Sequence, residues 1–529
     1  MARSPLARWL RRALQAAPDV PGNGAPPPGA EALRTARPTR REAIRLGGAA
    51  LAGVAVSRCA SLPGPAPERG EVLVVGGGLA GLTAAWRLRQ EGLSVTVVEA
   101  QERVGGRMLS LTGHFPGGLV AELGGELIDT GHERVRAMAT ELGLALDDLL
   151  DEPEGLEETV FFAGARRTYA EVAGALRPVV EAARRDLAPL GEEPDVSYRG
   201  PGAARDLDRM SISEWLDRAG ATGWARTLVE VAFESECGLP PGEQSSLNFL
   251  LFADFDPAKP RLYGDSDERF HVRGGNDQVP RRLAERLGGS VVRGERLEAL
   301  REGSDGRFVA SFLRGGTGLE RRATHVVLAV PFTLLRDVRL DVPLSPAKRR
   351  AIRELGYGTN AKLMTGWSRR AWRTDHRSTG TLMTDLGLQV AWETSRQQPG
   401  TAGILTNFTG GAAGVALGRS TAPERSAEVA AQVDAVFPGS SSAHQPAQAV
   451  RFHWPTHPWT LGSYACYRPG QLTAFGGAEG EPEGRVLFAG EHTSRGFQGF
   501  MEGACATGER AAREVLASIG RPRAAAPSA

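Results

Sequence analysis

Lysine and cysteine are scarce in this sequence. Only three of the 529 residues are lysine, so nearly all of the 63 basic residues are arginine. The four cysteines form no Cys-x-x-Cys pair and no cluster with histidine, which argues against a metal site and a disulfide framework. The net charge is only +1, so the composition indicates no nucleic-acid partner. No apolar run approaches the roughly 20 residues of a transmembrane helix, and we expect none.

The first 69 residues are predicted to be a basic signal followed by a linker. Arg40 and Arg41 precede eleven small or apolar residues at 46–56, an arrangement that resembles a twin-arginine export signal. We therefore expect export to the periplasm or the outside of the cell, and a cytoplasmic location if the signal is not used. Lipidation of Cys59 and cleavage near Ser57 are both left open.

A dinucleotide-binding unit is predicted from residue 70 onward. An apolar strand leads into a glycine-rich turn, a helix and a second strand that ends at Glu99. Gly76 permits a tight turn, Gly78 lets the backbone approach a pyrophosphate, and Gly81 lets helix and strand pack closely. Glu99 can accept hydrogen bonds from both ribose hydroxyls. Strand, glycines, helix, strand and acid within one unit are a specific fingerprint.

Two further motifs favour FAD over NAD as the dinucleotide. Arg107 ends the segment ERVGGR, which resembles the second dinucleotide motif of FAD-dependent oxidases, and Gly124 lies in the related segment AELGGE. Near the other end of the chain, the predicted strand VLFAG runs into Gly490 and Glu491, and Glu491 is expected to bind a ribityl or phosphate-side hydroxyl. A helix starting near Met501 would point its positive end at the flavin.

Together these motifs resemble the flavin-containing amine oxidase family, which includes monoamine, polyamine and L-amino-acid oxidases. The resemblance covers residues 70–518, and the C-terminal pattern FAGEHTS…GFMEGA…GERAA is its most specific part. It implies an α/β fold in which a Rossmann-like FAD-binding domain is interleaved with an α+β substrate-binding domain. The FAD-binding domain would take residues 70–130, 268–345 and 450–518, the substrate-binding domain 131–267 and 346–449, and a disordered tail 519–529. The backbone of Val292 would contact the adenine.

The resemblance also assigns the catalytic residues. Lys362, in a segment that alternates like a half-buried strand, matches a lysine that holds a water against flavin N5; the competing interpretation is a surface lysine. Lys259, between two prolines, and Lys348, which opens a charged run, are poorer candidates. Tyr464 and Phe500 match two aromatic residues that flank the amine.

Two neighbouring residues bear on the cofactor and the substrate. Ser463 stands where some members carry the cysteine that tethers FAD, so we expect FAD to bind non-covalently. Cys466 would lie on the opposite face of the same predicted strand. Glu126 is expected either to bind a second substrate ammonium or to cap a local turn.

The activity implied by the resemblance is the oxidative deamination of a small amine. The amine is oxidised to an imine, water hydrolyses the imine to a carbonyl compound and ammonia, and dioxygen is reduced to hydrogen peroxide. An L-amino-acid oxidase of the same family is the alternative, and it needs an arginine aimed at the carboxylate that the sequence does not single out. A FAD-dependent desaturase or isomerase is less favoured. Which amine or amino acid is used, and the oligomeric state, are left open.

Overall fold

The computed structural model describes residues 71–191, 194–252 and 266–520. These residues form one compact unit, so the two predicted domains share one body. The predicted signal and linker, Lys259 and the tail beyond residue 520 lie outside the described residues. Within the described ranges, no helix is both long and apolar enough to span a membrane.

The described chain alternates between strands and helices over its whole length. The strands are β1 Glu71–Val75, β2 Ser94–Glu99, β3 Ser110–Leu111, β4 Ala121–Glu122, β5 Leu146–Asp148, β6 Glu157–Phe162, β7 Ala165–Arg166, β8 Phe270–Val272, β9 Val291–Arg293, β10 Arg296–Glu302, β11 Phe308–Arg314, β12 Thr317–Ala323, β13 His325–Leu328, β14 Arg339–Asp341, β15 Ala361–Trp367, β16 Ser378–Thr384, β17 Val390–Glu393, β18 Gly403–Thr409, β19 His444–His453 and β20 Val486–Phe488. The helices are α1 Leu79–Gln90, α2 Glu133–Glu141, α3 Tyr169–Leu187, α4 Ala204–Arg209, α5 Ile212–Arg218, α6 Gly223–Cys237, α7 Ser246–Leu250, α8 Gln278–Leu287, α9 Phe332–Leu335, α10 Pro346–Glu354, α11 Ala371–Thr374, α12 Gly411–Leu417, α13 Ala422–Val436, α14 Gln471–Phe475 and α15 Met501–Ser518.

A five-stranded parallel sheet confirms the predicted dinucleotide-binding architecture. Its strand order is β20-β13-β1-β2-β9, so strands from the three predicted segments lie side by side. Strands β13 and β20 are buried throughout, as expected for apolar strands covered on both faces. Helices α1 and α15 pack closely on each other because Gly508 has no side chain at their contact. A Cβ added at Gly508 would lie only 2.4 Å from the carbonyl oxygen of Ala80.

The predicted substrate-binding segments form a second, seven-stranded mixed sheet. Its order is β19-β15-β18-β17-β16-β6-β7, and it draws strands from both segments. The helices α3 to α7 lie in the chain between β7 and β15, so the predicted helical part also supplies two strands, β6 and β7, to this sheet. A four-stranded sheet, β12-β11-β10-β14, accompanies the parallel sheet.

Two local predictions differ from the structure. Strand β15 was expected to be half-buried, but all seven of its residues are buried because it lies between β18 and β19. Ser463, Tyr464 and Cys466 were expected in a strand. They lie in an irregular segment, with only an isolated bridge from Ala465 to Tyr357.

Candidate functional site

A cavity of about 490 Å³ opens at the carboxyl ends of β1, β2 and β13. Ligands of open parallel sheets bind at this edge, where connections leave in opposite directions. Eight of the predicted site residues line it: Gly76, Gly78, Glu99, Arg107, Gly490, Glu491, Phe500 and Met501. The other five do not line it: Gly81, Gly124, Val292, Lys362 and Tyr464.

The glycine-rich turn after β1 combines close packing with open space. Gly76 has a φ of +109°, and a Cβ added there would lie 2.5 Å from the carbonyl oxygen of Ala329. A Cβ added at Gly81 would lie 2.0 Å from the carbonyl oxygen of Gly76, which confirms the predicted tight packing. At Gly78, which lines the cavity, no atom lies within 4 Å of an added Cβ. The turn therefore leaves room for a pyrophosphate at the start of α1.

Glu99 ends β2 at the edge of the cavity. Its Oε2 accepts a hydrogen bond from the backbone N–H of Gly77 at 2.7 Å, and its Oε1 accepts one from Gln101 at 2.9 Å. Burial raises the pKa of Glu99, although these two hydrogen bonds and the charge of Arg103 oppose the rise. Each carboxylate oxygen has a further lone pair with which to accept a ligand hydroxyl.

Arg107 and Glu491, predicted as separate cofactor contacts, form an ion pair with 2.5 Å between Nη1 and Oε1. Arg107 also donates to the carbonyl oxygen of Ser463 at 3.0 Å, and Glu491 Oε2 accepts from the backbone N–H of Gly499 at 2.8 Å. Burial raises the pKa of Glu491, but the charges of Arg107 and His492 and the hydrogen bonds from Arg107 and Gly499 together outweigh burial, so the net shift is downward. Glu491 thus joins the two distant motifs, and its contact with a cofactor hydroxyl stays a prediction.

The start of helix α15 forms one end of the cavity wall. Met501 is its first residue, and Phe500 precedes it as the N-cap. Phe500, Met501 and Ala504 line the cavity, so the positive end of this 18-residue helix faces it. A negatively charged ligand group is favoured there.

The opposite end of the cavity lies beyond β9, the strand that contains Val292. Val292 is half-buried in β9 and does not line the cavity. The chain turns at Gly294 after β9 ends, and the wall is formed by residues 295–298, including Leu297. The geometry therefore favours Leu297 over Val292 as the contact for a ligand base. The turn at Gly294 was a signal in the sequence that could have shown this.

Lys362 is fully buried, which excludes the interpretation as a surface lysine. Its Nζ donates to the carbonyl oxygens of Glu122 at 3.1 Å and Gly124 at 2.9 Å, and to Glu126 Oε2 at 2.7 Å. An ammonium has three hydrogens, so all are donated to protein acceptors. The water-holding role implied by the resemblance would need one of these bonds to be exchanged.

Glu126 is bonded to side chains from distant parts of the chain and not to a local turn, and its contact with a substrate ammonium stays a prediction. Its Oε2 accepts from Lys362, and its Oε1 accepts from Trp392 Nε1 at 2.8 Å and from Thr394 Oγ1 at 2.7 Å. Burial raises the pKa of Glu126, but the charge of Lys362 and these hydrogen bonds outweigh burial and lower it overall. The sequence contained no signal for this pair, since its members are 236 residues apart.

The two predicted aromatic residues have different environments. Phe500 lines the cavity and stacks on Phe252, with ring centroids 6.5 Å apart and planes 8° apart. Tyr464 is buried in a hydrophobic cluster that includes Trp392, and its hydroxyl donates to the carbonyl oxygen of Glu236. Their action as a pair around an amine stays a prediction.

Sequence reasoning did not single out His132, which packs edge-on against Phe500 with ring centroids 5.0 Å apart. His132 Nδ1 accepts from the backbone N–H of Asp129 at 3.0 Å, so Nε2 carries the hydrogen that faces the Asp129 carboxylate at 3.2 Å. Burial raises the pKa of Asp129 to about 6. This pair fixes the ring behind Phe500.

The residues that line the cavity fit FAD. The open side of Gly78, the carboxylate of Glu99 and the start of α15 fit a pyrophosphate, a ribose and a flavin carbonyl, respectively. The cavity volume is in the range of cofactor sites. Within the ranges the structure describes, no group of histidine, cysteine or acidic side chains is arranged to hold a metal ion.

Comparison with known proteins agrees with this geometry. A model of the family described as flavin containing amine oxidoreductase matches residues 79–516. The chain is 28% identical over 467 residues to flavin-containing amine oxidase B of Homo sapiens, covering 85% of this chain and 87% of that protein. It is 26% identical to an L-amino acid dehydrogenase of Synechocystis, covering 84% and 94% of the two chains. A structure of putrescine oxidase bound to putrescine matches with a TM-score of 0.73 and 25% identity, covering 85% of this chain and 99% of that one.

Proposed function

Since the chain belongs to the flavin-containing amine oxidoreductase family, we propose a substrate class and roles for the main residues of the site. The enzyme is FAD-dependent and catalyses the oxidative deamination of amines. When bound, FAD supplies the two-electron oxidation of the amine to an imine. The protein binds the cofactor, orients the amine and excludes competing reactions.

The observation that carries this function is the cavity at the parallel sheet, where the N-terminal and C-terminal motifs meet. Gly78 and the start of α1 would hold the pyrophosphate, Glu99 the ribose, and Leu297 the adenine. Arg107 and Met501 lie at the other end, where the flavin would be held. FAD is non-covalent in this proposal, which Ser463 at the tethering position supports.

The substrate in this proposal is a primary or secondary amine with an apolar body. Phe500, backed by the rings of Phe252 and His132, provides a rigid aromatic wall against which such an amine can be oriented. In the proposed site, Tyr464 forms a second aromatic wall opposite Phe500. Lys362 provides the polar group of the site. The names of two relatives, a flavin-containing amine oxidase and a putrescine oxidase, support an amine.

An L-amino acid is the second candidate substrate. The supporting observation is the similarity to a protein named L-amino acid dehydrogenase, which covers most of both chains. Water would hydrolyse the imine in either case. We further propose that dioxygen accepts the electrons and is released as hydrogen peroxide.

A peroxide-coupled screen of the purified holoprotein with matched substrate pairs tests this proposal. Phenethylamine with L-phenylalanine, and putrescine with L-ornithine, differ within each pair only by the carboxylate. Peroxide from the amines and not from the amino acids is expected; the reverse result establishes the second candidate. Flavin bleaching by an amine without peroxide in air would contradict the oxidase and indicate a dehydrogenase. No bleaching by any amine would contradict the substrate class.

We also propose that the protein is exported through the twin-arginine route. Arg40, Arg41 and the apolar residues 46–56 support this proposal. That route carries folded proteins, which suits an enzyme that takes up its cofactor in the cytoplasm.

A further inference from the structure

A buried ion pair lies where the two halves of the site meet. Glu126 lies in the segment between β4 and α2, and Lys362 lies in β15 of the mixed sheet. Both side chains are at most 3% exposed. Trp392 and Thr394, at the end of β17, complete the hydrogen bonding of the carboxylate. The pair therefore has no net charge. Four protein groups hold it by hydrogen bonds: the carbonyl oxygens of Glu122 and Gly124 and the side chains of Trp392 and Thr394.

This pair lies directly behind the wall of the cofactor cavity. Lys362 donates to the carbonyl oxygen of Gly124 at 2.9 Å. A Cβ added at Gly124 would lie 1.9 Å from the carbonyl oxygen of Arg107, so the two backbones are in direct contact. Arg107 and Met108 line the cavity, and Arg107 is paired with Glu491, which accepts a hydrogen bond from Gly499 beside the end formed by the start of α15. One backbone layer thus separates the Lys362 charge from that end of the cavity.

We propose that Glu126 is a positioning residue for the oxidation, which holds the Lys362 ammonium behind Gly124 and cancels its charge at the flavin end of the cavity. This rests on the proposed function only in that a flavin occupies the cavity. Charges placed near a cofactor tune its electronic properties, and they act strongly where water is excluded. Loss of Glu126 would leave a net positive charge, which stabilises the more negative reduced flavin.

The test is the flavin midpoint potential, measured by dye-coupled reduction without any amine. Glu126→Gln keeps the shape of the side chain and removes its charge. We expect the midpoint potential to rise by about 30 mV or more. For a two-electron couple, that shift corresponds to about a tenfold change in the ratio of reduced to oxidised flavin. Lys362→Met removes the opposite charge, so it is expected to lower the potential. The charge-retaining Glu126→Asp should keep the potential of the unmodified enzyme.

Glu393→Gln is the matched control for deleting a buried carboxylate. Glu393 lies in the same strand as Trp392 but is bonded to Trp372, Arg370 and Arg373 instead of Lys362. Its variant should leave the potential unchanged.

Equal potentials in Glu126→Gln and the unmodified enzyme would overturn the proposal and leave Glu126 a purely structural role. If Glu126→Gln does not fold, Lys362→Met decides, since an unchanged potential there also overturns it. A protein that binds flavin but oxidises no amine would count against the proposed function and not against this inference.

Discussion

Replacing Glu99 by glutamine tests whether this carboxylate binds the ribose of FAD. The side chain keeps its size but loses its charge. In the structure, both carboxylate oxygens accept a backbone N–H, from Gly77 at 2.7 Å and from Gln101 at 2.9 Å. A glutamine amide has only one acceptor oxygen, so its NH₂ group would face one of these two donors. The variant therefore loses one local hydrogen bond as well as the charge.

The magnitude follows from the loss of a charge-assisted contact. Hydrogen bonds to charged groups contribute about 1.5–3 kcal/mol, which corresponds to a rise of about ten- to 150-fold in the Kd of FAD. Burial raises the pKa of Glu99, so its carboxylate takes up a proton at a higher pH than an ordinary glutamate does. On acidification, the unmodified protein should therefore begin to lose FAD affinity at that higher pH. Glu99→Gln should lack this acid-dependent loss, because its side chain does not titrate.

The assay is a fluorescence titration of apoprotein with FAD and, separately, with FMN. FMN lacks the adenosine, so its affinity should be the same in Glu99→Gln and in the unmodified protein. The matched control is Glu295→Gln. Glu295 is a buried carboxylate that also lines the cavity, but it is held by two hydrogen bonds from Arg321 at 2.8 and 2.9 Å. Its variant should keep FAD affinity within a few fold.

Two results would refute the reasoning about Glu99. An unchanged FAD affinity would mean that the carboxylate does not contact the ribose. An equal loss for FAD and FMN would mean that the variant disturbs the glycine-rich turn itself, through Gly77, and not the adenosine contact. Thermal melts of both apoproteins, done alongside, separate general unfolding from lost binding.

Three further outcomes are expected. Because Ser463 replaces a tethering cysteine, acid precipitation should release yellow flavin into the supernatant, and a yellow pellet would contradict non-covalent binding. Arg40→Lys combined with Arg41→Lys should retain the protein in the cytoplasm, as seen by cell fractionation; unchanged export would point to another route. Lys362→Met strands a buried carboxylate and should cost about 3–5 kcal/mol, or about 3–5 °C in melting temperature at this chain length. Adding Glu126→Gln should recover part of that loss, and a double variant no more stable than Lys362→Met would argue against the ion pair.

Much of the cofactor site could be predicted because its signals are local. The turn after β1 needs glycine at positions 76 and 81 for steric reasons that act within a few residues, and the structure has both as predicted. Glu99 follows from the end of a strand in the same unit. The adenine contact expected at Val292 stays a prediction, and the described cavity wall begins beyond the turn at Gly294.

The partners of charged residues could not be predicted, because they come from distant parts of the chain. Arg107 pairs with Glu491, and Glu126 pairs with Lys362, in each case across more than 230 residues. Lys348 opens a charged run in the sequence, where nothing indicated its partners. It is fully buried, donating to the carbonyl oxygens of Glu479 and Glu481 at 2.8 Å and lying 3.6 Å from the ring centre of Phe488.

The sequence by itself determined the dinucleotide-binding unit, because glycine's freedom at positive φ and the apolar run of a buried parallel strand are written in consecutive residues. It also determined which residue types were available for an amine oxidase. Only the tertiary structure decided which charges compensate each other at the cavity. Burial makes an unpaired charge costly, so the fold settles each pairing through packing between strands that the chain itself keeps far apart.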